Sequence, residues 1–385
     1  MKIAVTVLVF CVAALLALGL VMLYSSSMVQ VGARYLVMQS IWCVLGLVGA
    51  LTMTLLDYRH LKKIWWLLLG VALFLLVLVL VFGIIRGNAR RWFLLGPASF
   101  QPSEFAKLAV IIALAWYGER YRRQMPTWTI GILIPGFFIG LMAGLIFKEP
   151  DVGNALLLGT VTGMMLLIAG IRLRYFLPPV LLIALGVGVF IYHNPMRSER
   201  VYSWLHVEET KRDKGLQAYQ AMVALGSGGV TGKGLGDGLQ KLGFVPEHHT
   251  DFIFCIIGEE LGLVATLLVV AAFIALVICG LYISANAQDT FGLLLGSGIT
   301  FLIGLQAFIN IGVVTSALPN KGLPLPFISY GGSNLLVMLT CVGILLSIAR
   351  QARVTQTKKD HLLDPEERSF GRAHRNPFKQ PRYST

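Results

Sequence analysis

The sequence predicts an all-α integral membrane protein of about ten transmembrane helices, with both ends in the cytoplasm and a long extracytoplasmic loop between helices seven and eight. Three observations carry this: too little charge for a soluble chain, apolar runs of bilayer-spanning length, and an uneven division of basic residues among the connections. Of 385 residues, 56% are hydrophobic and only 13% charged, against about 25% charged in ordinary soluble chains. Mean hydropathy is +0.74. The charge is missing in blocks, as runs of about 17–25 apolar residues, and such a run spans a hydrocarbon core of roughly 30 Å as a helix. Backbone groups in lipid must be satisfied within the segment, so the runs are helices. The five cysteines are odd in number, and Cys11, Cys43, Cys279 and Cys341 lie inside apolar runs with Cys255 at the head of another. They read as small apolar side chains, not a disulfide framework.

In order, the spans are predicted near 4–24, 36–56, 64–85, 104–118, 129–147, 152–170, 176–192, 254–284, 290–314 and 327–349. The first is too long for the apolar core of a signal peptide, and Tyr24-Ser25-Ser26-Ser27 offers no cleavage site, so it is read as a retained helix. Orientation follows from Lys and Arg in short loops. With the N-terminus inside, cytoplasmic connections hold Arg59, Lys62 and Lys63, then Arg120, Arg122 and Arg123, then Arg172 and Arg174, with Arg350, Arg353, Lys358 and Lys359 beyond the last span. The opposite short loops hold fewer: Arg34, Lys148 and Lys321, plus a cluster at Arg86, Arg90 and Arg91 that breaks the rule and is suspected of function. The net charge of +13 is part topology signal and part tail, and calls for no nucleic acid. From residue 351 to 385 the chain turns polar, with Pro365, Pro377 and Pro381, and is expected to be a disordered cytoplasmic tail. Residues 1–350 form the transmembrane domain.

Residues 193–253 form a connection far longer than the others, and long loops in compact proteins are usually functional or disordered. Gln217 to Leu225 reads as an amphipathic helix lying at the interface. The run Gly226 to Gly236 contains Lys233 but lacks the G-x-x-x-x-G-K-[ST] pattern, because glycine follows the lysine. It also lies on the wrong side for a nucleotide, and a flexible turn packed close to lipid or substrate is the better reading.

Charges at the outer face are the candidates for chemistry, because ionisable groups at a membrane are costly and mark substrate paths or relays. Arg90-Arg91-Trp92 leads into Gln101-Pro102-Ser103-Glu104-Phe105-Ala106-Lys107, where Glu104 and Lys107 stand three apart on one helix and can pair. That pair can equally be a structural tie. Glu149-Pro150-Asp151 opens the sixth span, and Asp151 can act at a site or simply cap the helix. Pro246-Glu247-His248-His249-Thr250-Asp251 opens the eighth, where Asp251 can likewise be a cap or a working carboxylate, with Glu259-Glu260 about two turns on. The adjacent histidines fit no standard zinc spacing. Three prolines in Pro319–Pro326 forbid a regular helix, and the irregular backbone that follows suits a cavity lining. Ser329 and Ser333 face that cavity or bond only to backbone.

On Arg90-Arg91-Trp92, Gln101 through Glu104 with Lys107, Glu149-Pro150-Asp151, Pro246 through Phe254 and Pro324 through Ser333, the chain resembles the SEDS family (shape, elongation, division and sporulation) over about residues 4–350. Gln240-Lys241-Leu242 and Lys321-Gly322-Leu323 look more like its division branch than its elongation branch. Two departures, His248 and Asn334, stand where alanine-like residues and serine are common; neither removes a charge. The resemblance implies a peptidoglycan glycosyltransferase of the bacterial cytoplasmic membrane that polymerises lipid II on the extracytoplasmic face. It implies Asp251 as the catalytic aspartate, and Glu104, Lys107 and Asp151 as cavity-lining charges. Arg90, Arg91, Gln101, His249, Lys321, Ser329 and Ser333 are the further candidates for binding substrate. A divalent cation (Mg or Mn) is an expected aid to the leaving pyrophosphate. A class B penicillin-binding protein transpeptidase, other division proteins and membrane lipids are the expected partners. A lipid II flippase would need charges deep in the spans, and a non-catalytic scaffold would make the outer charges dispensable. The helix middles are nearly bare and the charges gather at one face, which favours surface chemistry.

Overall fold

The computed structural model describes the chain apart from residues 28–31, 87, 88, 97, 212, 214, 244–248 and 363–385. Pro246, Glu247 and His248, and the three tail prolines, therefore lie outside the described residues. Its helices are α1 (Lys2–Ser27), α2 (Arg34–Leu55), α3 (Leu61–Phe82), α4 (Pro102–Arg120), α5 (Ile134–Lys148), α6 (Val152–Ile168), α7 (Leu173–His193), α8 (Pro195–Leu205), α9 (Leu216–Ser227), α10 (Ile253–Ala285), α11 (Thr290–Val314) and α12 (Gly332–Leu362). Eight helical segments are long and apolar enough to cross a membrane, and α6 is a shorter apolar helix. With α4, whose 19 residues span about 28 Å at 1.5 Å each, they account for every predicted span. The multi-pass helical membrane fold read from the sequence is the fold observed.

The differences are local. The last helix begins at Gly332, because Pro324 and Pro326 hold the preceding chain out of helix. It continues to Leu362, past the predicted start of the tail. Among the described residues the loop between α7 and α10 holds two α-helices, the predicted amphipathic α9 and the unpredicted α8. Between α3 and α4 the chain forms a three-stranded antiparallel sheet, β1 (Ile84–Arg86), β2 (Ala89–Leu95) and β3 (Ala98–Phe100), in the order β1-β2-β3. All five cysteines are buried and free.

Helix contacts follow the membrane rule that small residues let backbones approach. At the crossing of α2 and α12, a Cβ on Gly343 would run into the backbone of Ala50, and one on Gly46 would meet Leu339. Gly280 and Gly296 serve the same end between α10 and α11, lying against Thr300 and Ser284. The central helices are α11 and α12, mostly buried along their apolar windows. In contrast, α7 has no buried residue.

The feature that most shapes the molecule is a break in α10. Gly262 has φ +76° and ψ −171°, outside the helical region. A Cβ on Gly258 would stand 3.4 Å from Thr266 Cγ2, although eight residues of straight helix separate their levels by about 12 Å. The helix therefore folds back on itself into a short arm, residues 253–261, and a membrane-crossing arm, residues 263–285. Breaking a helix orphans backbone groups, and in a membrane protein these must find partners. The glycine run supplies them. Lys233 and Gly234 donate their N–H groups to the carbonyls of Glu259 and Glu260 (both 3.0 Å), while Leu263 and Val264 donate to Gly229 and Val230 (3.0 and 3.3 Å). Gly228 and Gly232 lie so close to the backbone of residues 258–261 that a Cβ on either would collide with it.

Two carboxylates fasten this contact. Glu259, fully buried, accepts from Lys233 Nζ (2.8 Å) and from the N–H groups of Leu239 (3.0 Å) and Gln240 (3.1 Å). Glu260 accepts from Lys241 Nζ (2.6 Å), the Gly236 N–H (3.0 Å) and Ser25 Oγ of α1 (2.6 Å). The glycine run is thus neither a nucleotide loop nor a loose turn. Replacing Gly262 by alanine would force both a positive φ and a collision with Gly232, so a loss of at least about 2–3 kcal/mol is expected. Thermal melting of the detergent-purified protein checks this, with Gly226→Ala, which meets nothing within 4 Å, expected to melt like the parent or slightly higher.

Candidate functional site

The N-terminal end of α4 starts the site. Pro102 occupies its first turn and Glu104 follows there, where a carboxylate meets the positive end of the helix dipole. Lys107, one turn on, is fully buried and pairs with Glu104 at 2.8 Å. Two charges without water need further partners, and they have them. Lys107 Nζ also donates to Asn154 Oδ1 (2.9 Å) and Gln306 Oε1 (3.3 Å). Glu104 Oε2 accepts from Asn334 Nδ2 at 2.7 Å. The ion pair therefore joins α4, α6, α11 and α12.

Asp151 does cap α6, accepting from the Asn154 N–H at 3.2 Å. Its second oxygen takes the Asn154 side-chain amide (2.9 Å) and Gln101 Nε2 (3.2 Å). The alternatives left open for Asp151 are not exclusive, since the cap holds its carboxylate against the Lys107 network. Gln306 carries the network onward by donating to the Pro324 carbonyl at 2.9 Å. One turn along α11, Asn310 donates to the carbonyls of Asp251 (2.7 Å) and Leu323 (2.6 Å).

Asp251 stands just before the short arm of α10, whose capping residue is Phe252 with no side-chain cap bond. It is half-buried, whereas Glu104, Asp151, Glu149, Glu259 and Glu260 are all buried. Its carboxylate lies against Gly322, so close that a Cβ there would overlap Oδ2. His249 stacks on Tyr35 (ring centroids 4.8 Å apart), and its carbonyl accepts the Tyr330 N–H (3.0 Å). Ser329 Oγ accepts the Leu325 N–H (2.8 Å). Ser333 Oγ accepts from the Gln101 N–H (2.9 Å) and donates to the Ser99 carbonyl (3.2 Å). These two serines hold backbone, shaping the proline segment and fixing the sheet to α12.

The basic candidates divide. Arg91 donates to the carbonyls of Glu149 (2.9 Å) and Pro150 (2.7 Å), holding the turn before Asp151. Arg90 is exposed and donates to the carbonyls of Leu80 and Val81, closing the end of α3. Lys321 is half-buried beside Gly322. Glu259 and Glu260 belong to the clamp on the helix break. Among the described residues no three His, Cys, Asp or Glu side chains converge as a metal cluster.

Sequence reasoning missed the amides Asn154, Gln306 and Asn310. Their signal was available, as polar side chains inside apolar runs. It also passed over Glu149, whose side chain is fully buried with neither oxygen hydrogen-bonded among the described residues.

The fold and this site define a polytopic membrane protein whose buried charges gather at one end of the bundle around a half-exposed aspartate. The chain belongs to the cell cycle protein family of FtsW, RodA and SpoVE, whose model matches residues 6–354. It is 41% identical over 352 residues to a probable peptidoglycan glycosyltransferase FtsW of Trichlorobacter lovleyi, covering 89% of this chain and 92% of that one. The corresponding FtsW of Bacillus subtilis is 37% identical, covering 91% and 92%. Among solved structures, a chain from work on structural coordination of polymerization and crosslinking by a peptidoglycan synthase complex superposes with a TM-score of 0.75 at 30% identity, covering 90% of this chain and 97% of that one. The rod shape determining protein RodA of Thermus thermophilus gives 0.66 at 28%, covering 93% and 97%.

Burial, then the neighbouring Asp151, pushes the Glu149 carboxyl up to about 8 from an ordinary 4.5, with Arg91 opposing. Between those two values the folded protein keeps a proton that the unfolded chain has released. Stability from this group is therefore full below about 4.5 and falls as pH rises through 8, by up to about 1.4 kcal/mol per pH unit. Melting curves at pH 6 and pH 9 should show a larger loss for the parent than for Glu149→Gln, which cannot ionise.

Proposed function

We propose that this chain is a peptidoglycan glycosyltransferase that polymerises lipid II into glycan strands during septal wall synthesis, with Asp251 as general base. The observation that carries the reading is that, among the described carboxylates around the site, Asp251 is the one solvent reaches, while Glu104, Glu149, Asp151, Glu259 and Glu260 are buried. In the reaction, a sugar hydroxyl of the acceptor attacks the anomeric carbon of the donor. Its proton passes to Asp251, the bond from that carbon to the pyrophosphate oxygen breaks, and the lipid pyrophosphate leaves with inversion. Asn310 and the packing of Gly322 fix where the Asp251 backbone and carboxylate sit. The Glu104–Lys107 pair, with Asp151 and the amides, forms the rigid polar wall beneath.

Orientation is supported by the far end of the bundle. There Arg59 pairs with Asp289 (3.1 Å), Lys62 pairs with Glu119, and Arg350 donates to the Leu55 carbonyl (2.6 Å). The basic loops thus collect at the end opposite the site, as the positive-inside rule requires when the site faces outward from the bacterial cytoplasmic membrane. A transpeptidase of the class B penicillin-binding type is the partner this reading implies, in keeping with the synthase complex whose subunit has the same fold.

Asp251→Asn should lower lipid II polymerisation by about 10²–10⁴-fold while the protein stays folded and partner-bound. Gel analysis of glycan strands from the purified complex measures this, and full-length strands at the parental rate from the variant would remove Asp251 from the chemistry.

A further inference from the structure

The buried and half-buried basic groups of this chain almost all have visible partners. Lys107 has Glu104, Lys233 has Glu259, Lys241 has Glu260, and Arg91 has two carbonyls. Arg197 and Lys321 differ. Both are half-buried, and among the described residues neither makes an ion pair or a hydrogen bond. Their resolved charged neighbours are cations: Lys321 feels Arg197, and Arg197 feels Arg200. Burial and this repulsion hold both below their ordinary pKa range. Gathering like charges out of water costs free energy that an anion would return.

The setting says which anion. Arg197, on α8, lies over Phe190 of α7 and Phe147 of α5, with its guanidinium carbon 4.4 and 5.5 Å from the ring centroids. Those rings close the ends of two membrane-crossing helices, which is the level at which a lipid headgroup lies. The helix is tied there by Trp204 Nε1, which donates to the Ser316 carbonyl (2.8 Å), while Asn320 Nδ2 ties the proline segment to Gln217 of α9 (3.0 Å). A cleft lined by Arg200, Ser203, Trp204, Leu318 and Asn320 runs between them. The same loop continues through Lys321 to Gly322, which touches the Asp251 carboxylate.

We propose that Arg197, with Arg200 and Lys321, forms the cradle for the pyrophosphate of a polyprenyl-linked substrate, making α8 part of the substrate site. This rests on the lipid-linked polymerase reading and adds residues to it. The cradle places the leaving group on the Lys321 side of Asp251, where fixed cations stabilise the developing charge. It also gives a role to Lys321 that Lys107, enclosed and neutralised by Glu104, cannot take.

The test is a binding measurement on the full chain with its partner in zwitterionic nanodiscs, separate from any turnover assay. Undecaprenyl pyrophosphate, undecaprenyl monophosphate, inorganic pyrophosphate and phosphatidylglycerol are titrated in turn, with Trp204 fluorescence as a reporter beside the cradle. Undecaprenyl pyrophosphate should bind the parent at least tenfold more tightly than the other three. Arg197→Gln and Lys321→Gln should each weaken it about tenfold or more, Arg197→Lys less, and Arg172→Gln at the other end of the bundle not at all. Melting curves confirm that each variant is folded, and Lys321→Gln serves if Arg197→Gln is not. Parental affinity in folded Arg197→Gln or Lys321→Gln overturns the proposal. Equal binding of phosphatidylglycerol would make the patch a general anionic-lipid contact, and equal binding of inorganic pyrophosphate would make it a free-phosphate site; either overturns it. Arg197-dependent binding without lipid II polymerisation would keep the cradle and reject the polymerase.

Discussion

The break at Gly262 is the constraint on which the rest of the molecule depends. A 33-residue helix left straight would carry Asp251 about 16 Å beyond Gly262, away from the other polar groups. Folding the first nine residues back brings the Asp251 carbonyl within reach of Asn310 and its carboxylate against Gly322. The fold-back is stable only because the glycine run returns hydrogen bonds to the opened backbone and because two buried carboxylates lock that run in place. Local geometry at one glycine thereby sets the position of a side chain eleven residues away.

Around that aspartate the charges are sorted by task. Some carboxylates are enclosed and paired with a lysine, and they act as rivets: Glu104 with Lys107, Glu259 with half-buried Lys233, Glu260 with Lys241. Other charges bond backbone and fix turns, as Arg91 does before Asp151. Arg197 on α8 and Lys321 in the proline segment have no anionic partner among the described residues. This division explains how a membrane protein can carry many ionisable groups near one site and still present few of them to a substrate.

Much of this was legible in the sequence. The apolar runs gave the helices because length and absence of charge are sufficient for a bilayer-spanning segment. The prolines at 319, 324 and 326 marked the irregular segment because they cannot continue a helix. Asp151, Glu104 and Lys107 were recognisable as charges out of place. The break in α10 was not legible, because Gly262 lies in a run that is apolar apart from Glu259-Glu260 and the residues that explain it lie about thirty positions upstream, in glycines whose purpose is close approach. Helix α8 was hidden because Arg197, Ser198, Glu199 and Arg200 interrupt its apolar pattern. Arg90 stood out in the sequence because it breaks the topology rule, and its guanidinium caps the end of α3.

The chain order of the riveting charges has a consequence for how the protein is made. Glu119 meets Lys62, Asp151 meets Gln101, Glu259 meets Lys233, Glu260 meets Lys241 and Ser25, and Asp289 meets Arg59. In each case the partner is synthesised before the carboxylate. Glu104 is the exception, and its lysine follows within one turn. Groups that arrive long afterwards, such as Gln306 and Asn334, are neutral amides. For these carboxylates, a nascent chain entering the bilayer one helix after another thus has a partner already made, or made within one turn, and need not wait for a distant segment to emerge from the ribosome.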